Sequence, residues 1–186
     1  MTGMKDAPVA VPSHFYYFTV GTGTWHGDFA FQVTSWRGLL NRGVGLRNFL
    51  LATAMHWVQH CPGETRLDST IEARPDDGTF GVAENTVRLS RFGVTLYLLH
   101  ERYILDPDGH RVQVEARERF GPISDVLSRT FEYPAEIADG GMASTYFMPL
   151  LGTPWTATYR VAENRKQLTG ILTCEWARAT ERAHRV

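Results

Sequence analysis

The chain has 186 residues, with 19 Lys and Arg against 20 Asp and Glu, for a formal net charge of −1. So even a balance gives no electrostatic pull toward a nucleic-acid backbone or an anionic membrane, and both are set aside as partners. Apolar residues make up 43% and aromatics 12%, which fits one globular domain whose aromatic weight suits strands around a cavity better than a helical bundle.

Residues 1–12 read as a flexible N-terminal tail and 13–186 as a single domain. The first residues lack the basic-then-apolar run of a signal peptide, and no apolar run reaches the roughly 18 residues that spanning a bilayer takes. Only Cys61 and Cys174 are present. A cytoplasmic, reducing location is the expectation, with both thiols acting as small hydrophobes.

Residues 14–20, rich in Phe and Tyr, read as a short strand closing one end of the core. The next stretch organises the chain. From Gly21 a glycine-punctuated turn enters a strand on which Trp25, Phe29, Phe31 and Val33 share one face, while His26, Asp28 and Gln32 share the other. Gly27 leaves a gap beneath the aromatic row where a backbone or a ligand can approach closely. Residues 35–43 form a turn or short helical piece. A true helix follows, on which Leu46, Phe49, Leu50, Thr53, Ala54 and Trp57 recur at helical spacing until Pro62-Gly63 stops it.

From there the rhythm is two. Strands are expected over residues 65–74, 80–91, 94–105, 111–120, 123–133, 142–148, 155–161 and 168–178, joined by short polar turns. About nine strands and one early helix predict a mainly β protein, a single antiparallel up-and-down barrel with a helix inserted after the first long strand, because consecutive hairpins need no long crossover. The turn Asp106-Pro107-Asp108-Gly109 has the residues of a type I turn with a glycine bulge.

That turn sets the candidate chemistry. A five-residue connection makes even positions face even positions, placing His100 opposite Ala116, with Glu118 diagonal to it and Arg102 on the same face. Three ionisable groups then enter an apolar interior, with His100 and Glu118 as candidate proton-transfer groups and Arg102 as a ligand contact. A slip of one residue turns His100 outward beside Glu115. His56 and His60 stand four apart beside Cys61, a spacing that suits a metal, but the end of a helix favours histidine through its dipole, so no metal site is assigned. His26 and Asp28 read as a surface pair. No phosphate loop, dinucleotide fingerprint or nucleophile elbow occurs, and no cofactor is implied.

Gly23-Thr24-Trp25 on the first long strand, an early helical insertion and a meander of hairpins together resemble the calycin superfamily, the lipocalins and fatty-acid-binding proteins. The resemblance implies that Trp25 plugs the barrel floor, that an arginine near the end of the last strand, matched here to Arg178, packs over it, and that the helix carrying Phe49 forms a lid. The expected function is binding of a small hydrophobic molecule, with Tyr97, Tyr103, Tyr146, Phe147, Met148 and Trp155 as candidate walls. Alternatives are an isomerase, cyclase or hydratase on the same scaffold using His100 and Glu118, and a structural or assembly protein with a filled barrel. A homodimer is left open.

Overall fold

The structure, a computed structural model, describes residues 16–41, 45–60, 66–76, 79–105, 111–121, 128–138 and 141–186. The N-terminal tail, Cys61, the helix stop at Pro62-Gly63 and the turn at Asp106-Pro107-Asp108-Gly109 lie outside those residues. The strands are β1 (Gly23–Val33), β2 (Arg66–Asp76), β3 (Thr79–Arg91), β4 (Val94–Leu105), β5 (Arg111–Phe120), β6 (Ser128–Ala138), β7 (Gly141–Met148), β8 (Thr153–Val161), β9 (Gln167–Thr173) and β10 (Ala177–Arg185). Each pairs antiparallel with the next, and β10 returns to β1, closing an up-and-down barrel. Closure leaves no strand as the end of the sheet, although β1 meets β2 only over Gly23–Trp25.

Among the described residues three helices accompany the barrel: α1 (Tyr16–Gly21), α2 (Trp36–Asn41) and α3 (Leu46–His60). The aromatic stretch expected as a strand is α1. Tertiary burial decides this. Tyr17, Phe18 and Val20 are all buried in the lower core, and Phe18 lies against Tyr103 with ring centroids 5.3 Å apart. The helix end is satisfied locally, since the Thr22 hydroxyl donates to the Phe18 carbonyl at 2.8 Å and the Trp25 indole N–H to that of Gly21 at 2.7 Å. At the other end, Ser35 caps α2 by accepting the Gly38 N–H at 3.0 Å.

On β1 the two-residue rhythm is realised as read: Trp25, Phe31 and Val33 are buried inside, and Asp28 and Gln32 face out. The gap at Gly27 is filled by backbone, because a Cβ there would lie 2.0 Å from the Arg182 carbonyl oxygen of β10. The arginine over Trp25 is Arg185, not Arg178. Arg185 is the register partner of Trp25, its guanidinium carbon stands 5.9 Å from the ring centroid, and it donates to the Thr22 carbonyl. Arg178 is exposed and begins β10 rather than ending it.

That shift follows from an unexpected turn. The stretch 168–178 expected as one strand is β9 and β10, folded back at Cys174-Glu175-Trp176, where the Cys174 N–H donates to the Ala177 carbonyl at 2.9 Å. Trp176 is fully buried at this turn, and its carbonyl accepts from the Thr34 and Ser35 N–H groups. The helix α3 is present where expected but rotated: Leu51 and Ala52 are buried, whereas Leu46, Leu50 and Trp57 are exposed, Trp57 by 61%. His56 fastens it to the barrel, its Nδ1 accepting the Val33 N–H at 3.2 Å. The core thus has a lower part closed by α1 and Trp25 and an upper part roofed by Leu51 and Ala52 of α3.

Candidate functional site

The β4–β5 register decides which charged groups enter the barrel. Leu105 pairs with Val112 and His100 with Arg117, so even positions on β4 face odd positions on β5. His100 and Arg102 therefore point outward. His100 is exposed and meets the Thr86 hydroxyl at 3.0 Å, and Arg102 is 3.2 Å from Glu115 on the surface. The pairing of His100 with Glu118 across the interior is corrected accordingly. The inward faces carry Tyr97, Leu99, Glu101, Tyr103 and Leu105 from β4, with Val112, Val114, Ala116, Glu118 and Phe120 from β5.

A cavity lies in the upper barrel beneath α3. Its walls include Phe29, Phe31, Tyr146, Trp155 and Tyr159, its roof Leu51 and Met55, and its polar groups Tyr97, Glu118 and Glu181. The cavity is small, about 40 Å³. It holds a few waters at most, so a larger guest must displace side chains. Met55, Met148 and the α3 roof are the adaptable walls.

Glu118 has no exposed surface. Its Oε1 accepts the Leu150 N–H at 3.0 Å and its Oε2 the Tyr97 hydroxyl at 3.2 Å. Burial pushes its carboxyl up to about 7, against the opposing pull of those two donors and of the Arg129 charge. Glu181 is 4% exposed, lines the same cavity and has no hydrogen-bond partner among the described residues. Burial first, and the Glu101 carboxylate second, push it up to about 8. It occupies a row with Phe29, Gly170 and Tyr159. Gly170 makes room for that row, since a Cβ there would stand 2.7 Å from the Tyr159 ring.

Deeper down, Glu101 is enclosed by donors. Its Oε1 takes the Tyr133 hydroxyl at 2.5 Å, and its Oε2 takes Tyr103 at 2.5 Å and the Asn85 amide at 2.9 Å. Fully engaged, it is a structural network. The tyrosines around it are held well above their ordinary value, by burial first and by neighbouring carboxylates second. Phe131, Tyr133 and Tyr146 form a triangular cluster of nearly parallel rings, the last two with centroids 4.5 Å apart.

Of the other residues expected at the site, Tyr146 and Trp155 line the cavity. Trp25 belongs to the lower core and Phe49 packs on Trp36 with centroids 6.5 Å apart, so neither is among the cavity walls. Phe147 is exposed and Arg178 faces outward. No cluster of metal-ligating side chains occurs among the described residues, and the free thiol of Cys174 is half-buried. Sequence reasoning missed Glu181. Its signal was there: Glu181 shares parity with Ala177, Ala179 and Ala183, the small residues of β10, while Arg178 and Arg182 take the opposite face. No family model and no curated protein matches the chain.

Proposed function

We propose that the protein binds a small, largely apolar molecule in the upper barrel. The observation that carries this is the cavity itself: aromatic and aliphatic walls, two buried carboxyl groups and a helical roof. Trp155, one of the walls, adds a buried indole N–H without a partner among the described residues. We read the scaffold as calycin-like, supported by Trp25 beneath Arg185, the helices between β1 and β2, and the closed meander. No helix of the described residues is long and apolar enough to cross a membrane, and the reading takes the compartment to be the reducing cytoplasm.

Native mass spectrometry against a panel of lipids, isoprenoids and aromatic polyketides tests it. A one-to-one adduct is expected on the wild type and should vanish in Ala179→Leu, whose added atoms occupy cavity space. Binding that survives the filled cavity, or no adduct at all, rejects the reading.

A second reading, proton-transfer catalysis, is favoured by one observation: Glu118 lies buried in the cavity wall with the Tyr97 hydroxyl 3.2 Å away, and burial pushes its carboxyl up to about 7. It no longer involves His100. The same panel separates the two, since an enzyme returns altered masses that Glu118→Gln abolishes, and a binder returns only retained ones.

A further inference from the structure

The three carboxyls buried in the barrel, two in the cavity wall and Glu101 beneath it, are not equivalent. Glu118 is held by a backbone N–H, a phenol and the charge of Arg129. Glu101 is held by two phenols and an amide. Glu181, only 4% exposed, has none of these, yet it faces the open space. A buried ionisable group without a partner is costly, and a bound molecule is the usual remedy. The lining also contains no Arg, Lys or His among the described residues. An anionic head, such as that of a fatty acid, would meet two carboxyl groups and no countercharge.

Resting on the proposal that the cavity binds a small apolar molecule, we propose that its occupant is a lipophilic amine whose ammonium pairs with Glu181 while its body lies against the aromatic walls. Phe29 is the register partner of Glu181 on one side, and Tyr159 follows on the other beyond Gly170, so the side chains nearest along its row are aromatic, the type that attracts an organic cation. The charged and titratable groups acting on Glu181 are Glu101 from β4, Tyr17 from α1 and Tyr159 from β8. All three are neutral or negative, so none competes with a cation for the site. Binding carries a proton balance. At neutral pH the free carboxyl holds its proton, and an arriving ammonium displaces it, so the complex contains carboxylate and ammonium and the proton goes to buffer.

Two matched series test the inference by titration calorimetry: octylamine, octanol and octanoate, and 2-phenylethylamine, 2-phenylethanol and phenylacetate. Wild type should bind each amine at least tenfold more tightly than its alcohol and should not bind the acids. Amine affinity should rise by up to tenfold per pH unit below about 8, and buffers of differing ionisation enthalpy should reveal close to one proton released at pH 7. The alcohols should release none. Glu181→Gln should erase the amine preference and the proton release while alcohol binding persists. The affinity order and the proton count on wild type stand even where that variant folds poorly. Alcohols binding as tightly as amines, acids binding best, or amine affinity flat with pH would each overturn the cation proposal and leave apolar binding intact. Failure of all six compounds to bind also overturns it, and the Ala179→Leu comparison then judges the binding reading on its own.

Discussion

Replacing Glu181 by glutamine removes a titratable group while keeping its size, and the effect on stability has a definite sign and pH window. The carboxyl rises from 4.5 to about 8 in the folded chain, so the native state holds a proton that the unfolded chain has lost. Below about pH 4.5 both states are protonated and the group contributes nothing. Between 4.5 and 8 the native state loses about 1.4 kcal/mol per pH unit relative to the unfolded chain, and above 8 the full cost, on the order of 5 kcal/mol, is present. Glu118 adds a similar but smaller penalty, on the order of 3 kcal/mol, complete above about 7. It is common to wild type and variant and cancels in their difference. Urea denaturation followed by tryptophan fluorescence at pH 5, 6, 7, 8 and 9, in amine-free buffer, measures that difference. The advantage of Glu181→Gln should be below about 1 kcal/mol at pH 5 and grow to several kcal/mol by pH 9. A constant offset, or an advantage largest in acid, would refute both the burial of Glu181 and its lack of a hydrogen-bond partner among the described residues.

Gly27→Ala should be among the most damaging changes in the barrel, costing at least about 3 kcal/mol, because its Cβ meets the β10 backbone rather than a movable side chain. A thermal midpoint unchanged from wild type would contradict the close approach of β1 and β10. Phe18→Ala should cost roughly 3–5 kcal/mol, since α1 fills the barrel floor with this ring; a loss below about 1 kcal/mol in urea would make α1 a peripheral element. Arg185→Ala should cost roughly 1–3 kcal/mol by removing both the contact over Trp25 and the hydrogen bond to Thr22. Arg178→Ala serves as the comparison and should leave stability within about 0.5 kcal/mol, its side chain being exposed; equal losses would return the floor arginine to Arg178.

Much of the barrel was legible because β1, β4, β5, β7 and β8 alternate cleanly or end at recognisable turns. What stayed hidden depended on features without a local signature. The Cys174-Glu175-Trp176 turn contains neither Gly nor Pro, so two strands read as one and the floor arginine was placed seven positions too early. In β4 both faces are apolar, Leu96, Leu98 and Ile104 against Tyr97, Leu99 and Tyr103, so alternation could not fix its facing and the choice fell to an assumed loop length. One residue of slip exchanged His100 for Glu101 at the interior. The helix α3 is apolar around most of its circumference, which is why its buried side was read from the wrong residues. Residues 16–21 are aromatic enough for a strand, and only the need to plug a barrel end makes them helical.

The seam between β1 and β10 sets an order on the folding of the chain. β1 meets β2 only from Gly23 to Trp25, whereas β10 matches it from Trp25 through to Val33. Most of β1 therefore has no strand partner until β10 has been made, some 150 positions later. Every intermediate lacking β10 exposes Phe29 and Phe31 along an unpaired edge, a template for pairing with another copy. Closing so long a loop is slow because its entropy must be lost before any contact compensates. Joining the ends near Trp25 and Arg185 and opening the chain at the β3–β4 turn, where Phe92 and Gly93 are exposed, would turn this last contact into a local hairpin.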